Sequence, residues 1–506
     1  MGVAYVRTVR TASGATAVQI VYSMRRGSRS IEHVGSGHDE AEVEALKAAA
    51  RQRLAQGQTA LDLDLDGGYA VPGPARIVSS RAGHLWDALE RAYEGLGLHE
   101  AAGSDPVFRD LVLARIVEPT SKFDSLRVLA EVGVHAVSYS TVKRRLPAYA
   151  EASWRAELAK ACAAHAALGP ASLVLYDVST LYFETHTGDG FREPGFSKER
   201  RLEPQITIGL LTDATGFPLA LEAFEGNKAE TATMLPTIRA FMAAHQLADV
   251  TIVADAGMVS EANRNAIEDA GLSYIIGARI PQVPYQVLAW RKAHTNTDGE
   301  VEDIPDGHVF TQPWPATEKQ KAAGRRDKVT YYRYSADSAR RSLHGIDTQV
   351  AKAEQAVAGK TAIKRNRFVR LAGGDRSVNR DLEAKARALA GLKGYVTNIT
   401  APDPDFVIGA YHQLWHIEKS FRMSKHDLRA RPIYHHKRES IDAHLAVVFA
   451  ALAVTRFVED RTGWSIKKFV RTARRYRTVR ISTGKHELTA EDPLPPDLRD
   501  ALSMIN

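Results

Sequence analysis

The stretch "PQITIGLLTDATGFPLALEAFEG" (204–226) reads as two apolar runs around the polar, Gly-containing break "DATG", the pattern of a tight hairpin. Working outward, "SLVLYD" (172–177) upstream is a short apolar run, a buried strand ending in an acid. Downstream comes a helical run, "AETATMLPTIRAFMAAH", then a second strand that ends in an acid, "VTIVAD" (250–255). A helix capped by Ser260 and closed by Gly271 follows, and then the strand "LSYIIGAR" (272–279).

The order β-β-β-α-β-α-β, three antiparallel strands and then right-handed parallel crossovers, predicts an α/β fold with an RNase H-like mixed sheet. Asp177 and Asp255 are each the first polar residue after an apolar strand. In an open sheet with parallel crossovers, that end of the strands is where ligands bind. One such Asp is readily a turn or cap residue; two are harder to explain that way. After Arg279 the sequence turns polar, basic and Pro-punctuated until "LKGYVTNIT" (392–400). Residues 283–391 therefore read as a β-rich insertion, splitting the core into 169–282 and 392–460.

The second core segment contains "YHQLWHIEKSFRMSKHDLRAR" (411–431), read as one helix. Tyr411, Glu418 and Lys425 are spaced seven and seven, which puts them in a row on one face, each about 10.5 Å further along the axis. Arg422 lies close beside the row. A solvated stripe held by a Glu418–Arg422 pair is the commoner explanation of such a row, and a site for an anion held through a metal is the other.

Upstream, residues 1–60 read as three short strands and an Ala/Glu/Arg-rich helix, a small β-β-β-α module and a candidate DNA-binding arm; 61–80 read as a linker. Residues 81–168 are helical throughout, with an Asp105 cap before Pro106 and a Ser/Thr-capped helix "SYSTVKRRLPAYA" (138–150). That helix carries Lys143, Arg144 and Arg145 in one turn. A short turn before a basic-tipped helix is how helix-turn-helix modules meet DNA, and an ordinary bundle with an exposed basic turn fits equally. Residues 461–506 read as a basic C-terminal tail.

The 506 residues carry a net charge of +7 and 44% hydrophobic side chains, a globular composition with a modest preference for polyanions. Five basic clusters, from "VKRRL" (142–146) to "KKFVRTARRYRTVR" (467–480), shift that preference towards nucleic acid. The single cysteine, Cys162, excludes an intramolecular disulfide and a thiolate zinc cluster. The longest apolar run, "AHLAVVFAALAV" (443–454), is too short to span a bilayer and reads as a buried helix. No membrane association and a cytoplasmic location are expected.

"YDVSTLYFE" (176–184), "VADAGM" (253–258) and the 411–425 block together resemble the three motifs of the DDE transposases of bacterial insertion sequences. They are most similar to the group whose third motif is Tyr-x2-Arg-x3-Glu-x6-Lys and whose catalytic core holds a β-rich insertion. Here Leu414 stands where that group has its arginine, and Arg422 is the candidate substitute. The resemblance implies that Asp177, Asp255 and Glu418 hold two Mg²⁺ ions, which Mn²⁺ can replace. It implies that Tyr411 and Lys425 grip a DNA strand end, with Arg279 in a segment such enzymes also carry. Trp314, between two prolines in the insertion, is expected to stack on an unpaired base, or else to pack the insertion's own core. The implied partners are the double-stranded ends of the element and target DNA, bound by a homodimer. A metal-dependent nuclease that cuts without joining, and a silent DNA-binding relative, remain alternatives.

Overall fold

The computed structural model describes residues 4–11, 15–23, 29–55, 75–169, 172–185, 187–195, 202–229, 232–245, 250–257, 260–360, 366–372, 375–431, 433, 435, 437–483 and 486–505. Most of the expected linker, 61–74, lies outside them. The chain divides into two compact units, 1–73 and 74–506.

The first unit is an antiparallel sheet of β1 (Ala4–Arg10), β2 (Thr16–Ser23) and β3 (Arg29–Gly37), followed by α1 (Glu40–Ala55). Val18 and Ile20 of β2 and Ala50 of α1 are fully buried, with Val6, Val43 and Leu46 around them. This is the β-β-β-α order that the sequence predicts.

The second unit opens with β4 (Arg76–Arg81) and six helices: α2 (Gly83–Gly95), α3 (Leu98–Ala101), α4 (Pro106–Val117), α5 (Ser125–Glu131), α6 (Tyr139–Ala150) and α7 (Ala152–Ala166). Asp105 caps α4 by accepting from the amides of Val107 and Phe108, and Ser138 caps α6 through Thr141. The main sheet follows: β5 (Ser172–Tyr182), β6 (Gln205–Asp213), β7 (Pro218–Glu225), α8 (Met234–His245), β8 (Val250–Ala254), α9 (Glu261–Asp269) and β9 (Ser273–Ala278). The β6–β7 turn is fixed by Asp213, whose Oδ1 accepts from the amides of Thr215 and Phe217, both at 2.9 Å. Gly216 supplies the left-handed residue, φ 85°.

The region expected as an insertion comprises α10 (Tyr285–Ala293), β10 (Val309–Trp314), α11 (Glu318–Ala322), β11 (Lys328–Tyr334), α12 (Ala336–Val357), the hairpin of β12 (Val369–Ala372) and β13 (Asp375–Val378), and α13 (Arg380–Ala388). β10 and β11 join the main sheet through β14 (Leu392–Thr397), giving eight strands in the order β10-β11-β14-β9-β8-β5-β6-β7. β8 runs parallel to both β5 and β9; the other pairings are antiparallel.

The stretch read as one helix is divided. α14 (Pro404–His412) ends at Gln413, α15 (Leu414–Arg422) starts there, and Met423–Asp427 form a π turn. At the junction the Gln413 amide bonds back only three residues, to Ala410, and His416 bonds to Gln413. The straight seven-and-seven row is thus replaced by three residues on three elements.

The apolar run at 443–454 is the middle of α16 (Arg438–Thr462). Among the described residues it is the one helix long and apolar enough to cross a membrane, and it is mostly buried within the protein. It packs on α2, α4 and α6 on one side and on β7 on the other. One apolar cluster consequently runs from Leu85 and Phe108 through Val174 and Ile252 to Phe469. The C-terminal segment read as a tail is folded: α17 (Ile466–Ala473), β15 (Thr478–Thr483), β16 (His486–Glu491) and α18 (Pro496–Ser503). β15 pairs with β4, so part of the expected linker is a strand. The apolar side of α17, Ile466, Phe469, Val470 and Ala473, is what turns a basic segment into a docked helix.

Candidate active site

β5 does not stop at Asp177. It continues to Tyr182, because β6 goes on pairing with it as far as Tyr182–Gln205. β8 stops at Ala254, one residue before Asp255. The parallel register runs from Ser172–Val250 to Leu175–Val253, and two further steps put Asp177 level with Asp255. Neighbouring strands lie about 4.8 Å apart, so the backbone brings the two acids side by side where β5 loses its parallel partner. Asp177 is half-buried and Asp255 exposed.

Helix α15 packs on β5 and β6, placing Glu418, exposed, on the helix that covers this part of the sheet. Two contacts hold α15. The buried Ser420 hydroxyl donates to Gly216 O at 2.7 Å, and Lys419 pairs with Glu459 of α16 at 2.7 Å. The turn is pressed so closely that a Cβ at Gly216 would lie 2.8 Å from His416 O.

Tyr411, on the last turn of α14, donates to Asp255 Oδ1 at 2.8 Å. Its ring meets Tyr395 of β14 edge-on at 5.0 Å. Gly277, directly across from Tyr395, leaves the space for the phenol: a Cβ there would lie 2.6 Å from Tyr411 Oη. Burial first, then the bond to Asp255 and the charges of Asp255 and Glu418, hold the phenol well above its usual range, so it stays a donor. Glu418 is thus felt electrostatically at the group that touches Asp255.

Among the described residues no three His, Cys, Asp or Glu side chains are gathered closely enough to hold a metal ion. Asp177 and Asp255 offer hard oxygen donors at one level, which fits a divalent ion in chemistry, and Glu418 stands by them without closing a three-carboxylate cluster.

The other expected residues are placed as follows. Arg422 is exposed on α15 and, among the described residues, forms no ion pair with Glu418. Lys425 is half-buried in the π turn, and Arg279 is exposed just past β9. Leu414 packs partly buried against the core. Lys143, Arg144 and Arg145 are exposed on α6; Lys143 lies 4.8 Å over the Tyr139 ring, and Arg145 lies 3.8 Å from Asp105. Trp314 is 49% exposed on β10 and donates its indole N–H to Thr330 Oγ1 at 3.0 Å. The small core of that region, built on Val287, Ile304, Phe310 and Tyr332, does not include it.

Two residues that shape the site, Gly277 and Ser420, are not singled out by the sequence reading. Gly277 was visible as a lone glycine inside an apolar strand, a sign of close approach by other groups. Ser420 had no distinguishing signal.

No curated protein matches the chain. The Transposase DDE domain family matches residues 168–454, more than half of the chain, from just before β5 to the middle of α16. The match spans both aspartates, the strands that follow β9 and the helix of Glu418, and the chain belongs to the DDE transposase domain family.

Proposed function

We propose that this protein binds the ends of an insertion sequence, cuts DNA there and joins the freed 3′ ends to target DNA. The observation that carries the reading is the level pair Asp177 and Asp255, with Tyr411 bonded to one of them and Glu418 on the helix against β5. The strands β7-β6-β5-β8-β9, antiparallel and then parallel, support an RNase H-like core for that site.

In this reading Asp177, Asp255 and Glu418 hold divalent ions, Mg²⁺ or Mn²⁺. The ions would activate the attacking oxygen and stabilise the leaving one. Tyr411 orients the Asp255 carboxylate, leaving its second oxygen for ligation. Water attacks a phosphodiester at the element end, breaking the P–O3′ bond and leaving a 3′-hydroxyl and a 5′-phosphate. That 3′-hydroxyl then attacks a target phosphodiester, forming one new P–O bond and releasing a target 3′-hydroxyl. Lys425, Arg422 and Arg279 line the DNA path, and Trp314 stacks on an unpaired base. Lys143, Arg144 and Arg145 contact element-end phosphates, and two copies synapse two ends.

Labelled element ends incubated with Mg²⁺ or Mn²⁺ test this by mapping nicks and joined products. Nicks without joined products would favour a nuclease on the same site; binding without either would favour a silent relative.

A further inference from the structure

The end of α4, the π turn and α17 enclose a cleft of about 480 Å³ on the far side of Lys425 from Glu418 in the chain. Its floor is apolar, with Ile116, Val117 and Val470, and its walls are basic. The acids in and around it are already taken. Asp427 pairs with Lys467 at 2.7 Å, while Glu118 and Glu131 are shared between Arg127 and Arg474. Those pairs pin both ends of α17. They leave three exposed cations, Arg429, Arg471 and Arg475, with no carboxylate within ion-pair distance among the described residues.

Arg429 is also held in an unusual conformation, φ 45°, in the left-handed region. For a residue with a Cβ this costs on the order of 1 kcal/mol. The turn is fixed from below by Arg115, 7% exposed, whose guanidinium donates to Leu428 O at 2.8 Å, Arg429 O at 3.3 Å and Thr120 O at 3.0 Å. Arg115 likewise has no carboxylate partner among the described residues. A buried cation under a cleft edged by three unneutralised ones is a strong local positive field.

We propose that this cleft binds the phosphate backbone of double-stranded DNA, extending the DNA path from the Lys425 turn onto α17. The inference rests on the DNA-processing role of the Asp177–Asp255–Glu418 site. Backbone, not bases, is the chemistry indicated. Guanidinium forks match phosphate oxygens, and no Phe, Tyr or Trp lines the cleft to stack on a base, His426 being its one aromatic ring.

The test is the salt dependence of element-end binding by the full chain, followed by anisotropy of a labelled duplex. R471Q/R475Q should make the slope of log K against log salt shallower by about 1.8, at about 0.9 per phosphate contact, while R471K/R475K restores it. Arg429→Gly removes a charge and relieves the left-handed backbone, so it should bind DNA less tightly yet melt higher, a combination that a purely structural role would not give. An unchanged slope in R471Q/R475Q, with end cleavage by the unaltered protein intact, overturns this inference alone. Unaltered protein that leaves element ends uncut overturns the proposed function, and protein that binds no DNA overturns both.

Discussion

The Tyr411 hydroxyl donates a 2.8 Å hydrogen bond to Asp255 Oδ1, joining the end of α14 to the end of β8. Residues 156 apart in sequence are coupled through one proton. Tyr411→Phe keeps the ring against Tyr395 and removes only the hydroxyl that donates to Asp255. It should lower cleavage about 10- to 100-fold, the usual effect of deleting a hydrogen bond to a metal-binding carboxylate, and raise the Mg²⁺ concentration needed for half-maximal rate. Melting temperature should change little. A variant with unaltered rate and metal requirement would show that the bond has no part in the chemistry.

Gly277→Ala puts a methyl group 2.6 Å from Tyr411 Oη. The phenol must move off Asp255 or the strand must shift, at about 1–3 kcal/mol. Combining it with Tyr411→Phe removes the oxygen that clashes, so the double variant should be less destabilised than the two single effects summed. Denaturant unfolding of all four proteins measures this, and strict additivity would refute the close-approach explanation.

Asp177→Ala, Asp255→Ala and Glu418→Ala should each abolish metal-dependent nicking while leaving element-end binding largely intact, because the affinity comes from exposed cations. Near-normal nicking by any one of the three in Mg²⁺ would remove that acid from the site. Glu418→Ala is the most informative, since its carboxylate is not gathered with the aspartates into a cluster.

Lys122 is 6% exposed, with its Nζ 2.7 Å from His435 Nε2 and Arg115 nearby. Burial, and then the Arg115 charge, push its pKa down to about 7. Between that pH and the ordinary lysine value near 10.4, the unfolded chain binds a proton that the folded one does not. Lys122 therefore makes stability rise with pH through this window, with its full penalty present below it. Lys122→Met should flatten the rise. Melting curves at several pH values decide it: identical pH slopes for the two proteins would contradict the assignment.

Neutralising Lys143, Arg144 and Arg145 together should weaken element-end binding and flatten its salt dependence. Arg145 lies near Asp105, so it should contribute least of the three. No change in slope would leave these residues as a solvated turn of α6.

The order of strands from 172 to 278 was legible because apolar runs of strand length alternate with capped helices. Each run's pairing then follows from its turn. The length of β5 was not legible: "YDVSTLY" turns polar after Tyr176, and only the continued pairing of β6 keeps it a strand to Tyr182. The heptad spacing of Tyr411, Glu418 and Lys425 put these residues in one region but described the wrong backbone. A junction at Gln413 and a π turn leave no mark on hydrophobic periodicity. α17 was hidden for a related reason, its apolar stripe being interleaved with Lys467, Lys468 and Arg471 and followed by Arg474 and Arg475.

Helix α16 has a consequence for how the chain is made. It fills the space between α2, α4 and α6, near residues 83–150, and β7 near residue 220, yet it lies at 438–462. During synthesis the early helices leave the ribosome nearly three hundred residues before the element that completes their core. Until then their apolar faces stay open to chaperones and to other nascent chains. A message truncated ahead of residue 438 would therefore yield no soluble N-terminal fragment of the second unit, but an aggregation-prone one lacking α16 and the α17–α18 segment that docks beside it.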